Sequence, residues 1–357
     1  MMEPLNLQEY ETLAKERLTP MAWDYYSSGA LDEITLRDNR EAFDRIAIRY
    51  HVLAGSTERD LSTQILGRQH EWPVLTAPMA FNRLAHPDGE NAIARAAATA
   101  GVTQVLSTFS TISLEEVART TPDGPRWFQL YVFRDRGLTA DLVRRAEAAG
   151  YEAIVMTVDT PVLGRRERDA RNGFALPEGL AAANIASHMP RIASDGRDSG
   201  LAQFFATQID STLTWDDVEW LVSLTTLPVL VKGVVRGDDA ERAIERGCAG
   251  VIVSNHGGRQ LDTSIATIDA LSEVAEAVDG RGAVLVDGGV RRGTDIVKAL
   301  ALGANGVLLG RPLLWGLALD GEAGATRVLA LLRAEFEQAM VLCGASNVSE
   351  LWPDLLV

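Results

Sequence analysis

The chain is expected to fold as an α/β protein, a (β/α)8 TIM barrel with an N-terminal helical cap and a long lid loop after the fourth barrel strand. Three observations predict it. Eight apolar runs of strand length recur along the 357 residues, helical patterns fill the gaps between them, and four helix-to-strand joints look alike.

The runs are VLTAPM (74–79), VTQVLSTF (102–109), RWFQLYV (126–132), AIVMTVDT (153–160), PVLVKGV (228–234), GVIVSNHG (250–257), AVLVDGG (283–289) and GVLLGRP (306–312). They are rich in Val and Ile and bounded by Gly, Pro or polar residues, as strands covered on both faces are. Between them, IATIDALSEVAEAV places Ile265, Ile268, Leu271, Ala275 and Val278 on one helical face, and Thr214 with Asp217 reads as a capping box. The joints ATAGVTQVLS, AAGYEAIVMT, RGCAGVIVS and LGANGVLLG set Gly101, Gly150, Gly247 and Gly303 at the left-handed position that closes a helix. A doubly wound open sheet is the alternative, weakened because no GxGxxG follows an early strand.

We expect a single domain over 1–357, with residues 1–70 as the cap, 71–320 as the barrel and 321–357 as a C-terminal helical segment. The cap has helical character at 7–18 and 20–29. Residues 161–213 far exceed the usual βα loop of about 2–6 residues and contain the polar tract PRIASDGRDSG, which suggests a lid.

Apolar residues make up 46% and charged residues 23%, and the net charge is −15, which argues against nucleic acid or an anionic membrane as partner. Cys248 and Cys343 have no metal-ligand spacing. His51, His70, His86 and His188 lack repeated carboxylate or thiol neighbours, so no metal site is expected. The start MMEPLNLQEYETLAKERL is acidic where a signal peptide would be basic and then apolar, and no 18-residue apolar segment occurs, so a cytoplasmic location is expected.

In such a barrel the C-terminal strand ends converge on one site. They carry Pro78, Met79 and Ala80; Ser107 and Phe109; Gln129 and Tyr131; Thr157 and Asp159; Lys232; Ser254 and His256; Asp287, Gly288 and Gly289; Gly310 and Arg311. DGGVRRGTD and LGRP put glycine amides with Arg291 and Arg311 after the last two strands, where barrels commonly hold phosphate; plain turns with surface arginines are the alternative. Ser107, Gln129 and Thr157 together suit a flat heterocycle. Lys232 follows a buried run, where a lone ammonium is costly, so an electron-rich ligand group is expected beside it. His256 and Asp159 together make a general base, and Arg259 and Arg166 can grip a carboxylate, although LGRRERDARNGF also reads as a solvated helix face.

SNHGGRQLD, DGGVRRGTDIVKALALGA, TVDTPVLGRRERD, FQLYVFRDR, LAHPDGE and WDYYSSGA together resemble the FMN-dependent L-2-hydroxy acid oxidase and dehydrogenase family, from about residue 5 to residue 345. The resemblance implies FMN at the barrel mouth. It implies that Pro78 to Ala80, Ser107, Gln129, Thr157, Lys232 and Ser254 surround the flavin ring and ribityl chain, while Asp287 to Arg291, Gly310 and Arg311 hold ribityl and phosphate. Tyr25, Tyr131, Arg166 and Arg259 match substrate-binding positions, His256 the catalytic base and Asp159 its partner; hydride and carbanion routes both use His256. Gly257 and Gly258 are expected to leave room for base, clamp and ligand. Where plant-type glycolate oxidases carry Trp this chain has Phe109, and where they carry Thr it has Met79, a pattern closer to bacterial lactate-oxidase-like members. The resemblance therefore implies a short 2-hydroxy acid, L-lactate first, as substrate. With no haem domain or membrane-insertion segment, O2 is the expected acceptor, giving H2O2; a homotetramer is also implied. The rivals are a dehydrogenase serving a quinone or carrier, a preference for glycolate, mandelate or longer acids, a barrel isomerase of FMN or phosphosugar type, and a flavin-binding module without catalysis.

Overall fold

The computed structural model describes residues 3–55, 59–188, 192 and 199–357. A short hairpin, β1 (Thr63–Ile65) and β2 (Arg68–His70), precedes eight parallel strands: β3 (Val74–Thr76), β4 (Thr103–Leu106), β5 (Arg126–Leu130), β6 (Ile154–Thr157), β7 (Val229–Val234), β8 (Gly250–Val253), β9 (Ala283–Val286) and β10 (Gly306–Leu309). They close in the order β10-β3-β4-β5-β6-β7-β8-β9. All eight runs read from the sequence are barrel strands, so the barrel expectation holds and the open sheet is excluded.

Strand pleating explains where the functional groups stand. Leu75, Val105, Trp127, Val155, Leu230, Ile252, Leu285 and Leu308 form an apolar layer inside the barrel, and Ile65 of the hairpin packs with it. Their sequence neighbours Val74, Leu106, Met156, Val231, Val251 and Val286 belong to the other cluster, between strands and helices. Side chains alternate with period two, so the inward positions one pleat further on are Ala77, Ser107, Gln129, Thr157, Lys232, Ser254, Asp287 and Gly310. Filling the lower barrel with aliphatic groups thus forces the next ring to be the floor of the mouth. Register places Thr157 beside Lys232 across the β6–β7 ladder.

The joints behave as expected, with Gly101, Gly150, Gly247 and Gly303 all at positive φ. At the start of the Trp215–Leu224 helix the Thr214 N–H donates to the Asp217 carboxylate at 2.7 Å. One boundary is corrected: the helix expected to carry Ile265 runs Thr267–Val278, with Ile265 exposed before the cap, while Ile268, Leu271 and Val278 are buried and Ala275 half-buried. The N-terminal region holds helices Leu7–Arg17 and Pro20–Ser27, the second with Pro at its first position, and a third, Ile34–Arg45, that the sequence reading did not include. The last barrel strand feeds a long helix, Arg311–Cys343, broken at Asp320 and Gly321. Within 161–213 lie helices Glu167–Arg171 and Gly200–Gln208; most of PRIASDGRDSG lies outside the described residues.

Candidate active site

A cavity opens at the C-terminal end of the barrel. Tyr25, Pro78, Met79, Ala80, Ser107, Phe109, Gln129, Tyr131, Thr157, Arg166, Lys232, His256, Arg259, Asp287, Gly288, Gly289, Arg291, Gly310 and Arg311 all line it. Asp159 and Ser254 do not. They stand one layer behind, each bonded to a residue that does.

His256 Nδ1 lies 2.9 Å from Asp159 Oδ1, and Thr160 Oγ1 donates to the same carboxylate oxygen at 2.9 Å. No hydrogen bond engages Nε2 among the described residues, so that nitrogen remains available to the cavity. Desolvation holds the imidazole below its ordinary pKa, against the upward pull of Asp159; the Asp159 carboxyl, raised by burial, is brought below its own ordinary value chiefly by His256. The pair is therefore a neutral imidazole oriented by an ionised carboxylate, the arrangement a general base needs.

The turn that presents His256 is strained. His256, Gly257 and Gly258 have φ of 59°, 66° and 74°, three successive left-handed residues. Asn255 pins it through a reciprocal amide pair with Asn39 of the third N-terminal helix, 2.8 Å in both directions, and accepts from the Gly258 N–H at 3.1 Å. The expectation for the two glycines is corrected in part. A Cβ on Gly257 would meet the Arg311 guanidinium at 3.1 Å, on the cavity side, but one on Gly258 would lie 2.5 Å from the Leu36 backbone nitrogen. Gly258 thus makes room for the cap helix, not for a ligand.

Lys232 Nζ sits 2.8 Å from Ser254 Oγ and 2.9 Å from Asp287 Oδ2, with both charged side chains almost fully buried. The other Asp287 oxygen is buried and has no partner among the described residues. Gln129 accepts from the Thr108 N–H at 3.1 Å and donates to Thr157 Oγ1 at 3.0 Å, while Ser107 Oγ donates to Gln129 Oε1 at 3.3 Å. Gly288 and Gly289 have φ of 93° and 87°, and a Cβ on Gly289 would collide with the Asn39 carbonyl, so the cap helix rests directly on this turn too.

Positive charge at the mouth is not balanced. Arg259 Nη1 donates to the carbonyls of Tyr25 (2.6 Å) and Ser28 (3.0 Å), and Arg311 donates to those of Tyr26 (3.0 Å) and Gly257 (2.9 Å). Among the described residues no carboxylate lies within ion-pair distance of Arg259, Arg291 or Arg311, and Arg166 has only Asp169 at 3.9 Å. Desolvation and neighbouring guanidinium groups push Arg259 down to about 10 and Arg311 to about 9. A site that crowds cations without counter-ions is built for anionic ligands.

Several lining residues carried no readable signal. Leu201 and Phe205 reach the cavity from the helix Gly200–Gln208, and Tyr26, Leu163, Val290 and Leu314 also line it. Phe109 is enclosed by the rings of Tyr131, Phe204, Phe205 and Phe81, at centroid distances of 5.2, 5.7, 5.4 and 6.0 Å. Tyr25 stacks on Phe174 (4.4 Å, 16°) with Arg259 over its ring at 5.1 Å.

Fold and site define the class first: a barrel enzyme that pairs a general base with seats for anions. The model of the FMN-dependent dehydrogenase family matches residues 14–357. An L-lactate oxidase of Nostoc sp. is 54% identical over 355 residues, covering 98% of this chain and 96% of that protein. Glycolate oxidase 3 of Arabidopsis thaliana is 53% identical over 350 residues, covering 98% and 95%. A crystal structure of mandelate oxidase with (S)-4-hydroxymandelic acid matches with a TM-score of 0.95 at 43% identity, covering 99% of this chain and 98% of that one. The chain belongs to the FMN-dependent dehydrogenase family, among its 2-hydroxy acid oxidases, and FMN is its cofactor.

The residues present fit that cofactor. The Asp287 oxygen without a partner is an acceptor for a ligand hydroxyl, the Gln129 set offers donors and acceptors to a flat ring, and Arg291 and Arg311 supply the charge a phosphate requires. Among the described residues no helix is long and apolar enough to cross a membrane, and no cluster of three or more His, Cys, Asp or Glu could hold a metal.

Proposed function

We propose that this enzyme oxidises short L-2-hydroxy acids, L-lactate foremost, to the 2-oxo acids, with O2 as acceptor and H2O2 as product. The observation that carries the reading is the base pair of His256 and Asp159 beside a cationic clamp, under a crowded aromatic wall. FMN, when bound, supplies the two-electron acceptor. His256 Nε2 takes one proton from the substrate, and Asp159, 2.9 Å from Nδ1, stabilises the imidazolium that results. Arg259 receives the substrate carboxylate, with Arg166, Tyr25 and Tyr131 around it. Phe109 and Met79 border the space for the C2 substituent, where Phe204 and Phe205 close in on Phe109 and favour a methyl over a phenyl group. Lys232, Ser254, Gln129, Thr157, Ser107 and the 78–80 backbone serve the flavin ring, and Asp287 to Arg291, Gly310 and Arg311 the ribityl chain and phosphate.

The similarity to a lactate oxidase, to glycolate oxidases and to mandelate oxidase supports the reaction class and leaves the wall residues to select among the acids. Anaerobic mixing of the yellow protein with L-lactate, glycolate and (S)-mandelate, followed by air, tests it. Lactate is expected to bleach the flavin fastest, and air to restore it with stoichiometric H2O2. A preference for mandelate above tenfold overturns the reading of Phe109 and Met79, and slow reoxidation in air points to a carrier-linked dehydrogenase. A homotetramer in the cytoplasm completes the proposal, its assembly measurable by light scattering.

A further inference from the structure

Glu90 is a carboxylate with no solvent exposure and no basic partner among the described residues, in the helix Gly89–Thr99 that follows β3. One oxygen accepts the N–H groups of Asn82 (3.0 Å) and Thr111 (2.8 Å), and the other the Thr111 hydroxyl (2.7 Å). Those donors belong to two different loops. Asn82 follows β3, where its side chain holds the Met79 carbonyl at 3.1 Å; Thr111 follows β4, two residues after Phe109. Between them Phe81 is held at a φ of 58°, donates its N–H to the Phe109 carbonyl at 3.0 Å, accepts from the Tyr26 hydroxyl at 2.6 Å and rests its ring against that of Phe109. A left-handed Phe persists only where its surroundings over-determine it, and the Glu90 carboxylate ties both sides of that bend.

We propose that Glu90 is a positioning residue for substrate selectivity, cross-bracing the loops of Met79 and Phe109 so that the wall beside the C2 substituent keeps a fixed width. The proposal rests on the assignment of those two side chains to the substrate wall. A buried acid suits this task better than an apolar residue, because three donors from two loops converge on it and each would otherwise be left unpaired. It has no hydrogen bond to His256 or Asp159, so its loss should alter which acid fits while leaving the base untouched.

The test compares wild type, Glu90→Ala, Glu90→Gln and Thr111→Val, each loaded with FMN. For each, kcat/KM is measured for L-lactate and (S)-mandelate, and equilibrium binding of pyruvate and benzoylformate is followed through the flavin spectrum. Glu90→Ala is expected to shrink the lactate-over-mandelate ratio about tenfold, with a matching change in relative binding of the oxo acids and an unmoved pH profile. Glu90→Gln should keep most of the wild-type ratio, since its carbonyl can accept both N–H groups and its amide can face the Thr111 oxygen. If Glu90→Ala does not fold, Thr111→Val gives a smaller change of the same direction. In a Phe109→Ala background the Glu90 substitution should add nothing further to the ratio, which a merely structural role would not produce. Unchanged ratios in the variants of an active enzyme overturn the bracing role alone. A wild-type protein whose flavin is reduced by no 2-hydroxy acid overturns the functional reading and this proposal with it.

Discussion

Groups that stand on barrel strands and groups that reach the cavity from outside the barrel are held by different forces. Gln129, Thr157, Lys232, Ser254 and Asp287 occupy consecutive inward positions of a closed ladder, and their polar atoms bond mainly to one another or to adjacent strand ends. Tyr25 comes from the helix Pro20–Ser27 and Phe205 and Leu201 from the helix Gly200–Gln208, and Tyr25 and Phe205 are set by ring packing. The first set cannot move without opening the barrel. The second depends on side-chain packing and, at Tyr25, on the backbone bond to Arg259, and so is the more adaptable. Proposed cofactor and proton chemistry therefore sit on the rigid half and substrate selection largely on the adaptable half, so substitutions should separate into loss of chemistry and change of preference.

The largest effect is expected on the rigid half. His256→Gln should slow flavin reduction by about 10²–10⁴-fold while FMN stays bound, because the phosphate seat is untouched. Stopped-flow reduction and the flavin-to-protein ratio measure both, and near-normal reduction would move the base elsewhere. Lys232→Met should leave the buried Asp287 carboxylate without its cation and cost about 3–5 kcal/mol, read as a lower Tm of the FMN-free protein. Asp159→Asn should slow the reaction by roughly 10²-fold and move the acid limb of kcat/KM to lower pH. The sign follows from the opposing influences on His256: desolvation lowers its pKa and the Asp159 charge raises it, so removing that charge lets the imidazole fall further. A limb that stays in place would mean that His256 does not feel Asp159.

The same division explains what could be read from the chain. Each barrel strand announces itself by a short β-branched run, and once the apolar inner layer is placed, period two delivers Ser107, Gln129, Thr157, Lys232, Ser254 and Asp287 to the mouth without further information. Arg291 and Arg311 were legible from the glycine turns beside them. Asn39, Phe204, Phe205 and Glu90 were not, because their significance lies in contacts 20 to more than 200 residues away that no local pattern encodes. Gly258 was misread for the same reason: its neighbour is Leu36, on a helix the sequence reading did not include. Tyr25 was reached only through family resemblance.

Phe109, at the end of β4, meets this adaptable half in the rings of Phe204 and Phe205, and the effects there should be smaller and should alter preference. Phe109→Ala removes the ring on which Phe81, Tyr131, Phe204 and Phe205 converge, and so opens the wall instead of the floor. We expect kcat/KM to shift by about tenfold toward longer or aromatic acids, with the pH profile in place. A uniform loss for all acids would show that Phe109 supports the lid but does not select the substituent.

Tyr25→Phe should have the smallest effect and is the sharpest probe of the division. The Tyr25 ring is fixed by stacking on Phe174 at 4.4 Å and by the Arg259 guanidinium 5.1 Å above it, and Phe retains both contacts. The Tyr25 carbonyl that holds Arg259 Nη1 at 2.6 Å belongs to the backbone and also survives. The phenol is lost, and with it its polar contact with the Arg259 side chain and the proposed hydrogen bond to the substrate carboxylate or hydroxyl, the latter worth about 1 kcal/mol, or roughly fivefold. If that bond is equal in ground and transition states, KM rises for every acid while kcat holds. Steady-state kinetics with L-lactate and glycolate decide it. A fall in kcat with unchanged KM would place Tyr25 among the groups that act on the reacting atoms, and the line between the two halves would have to be redrawn through the cap.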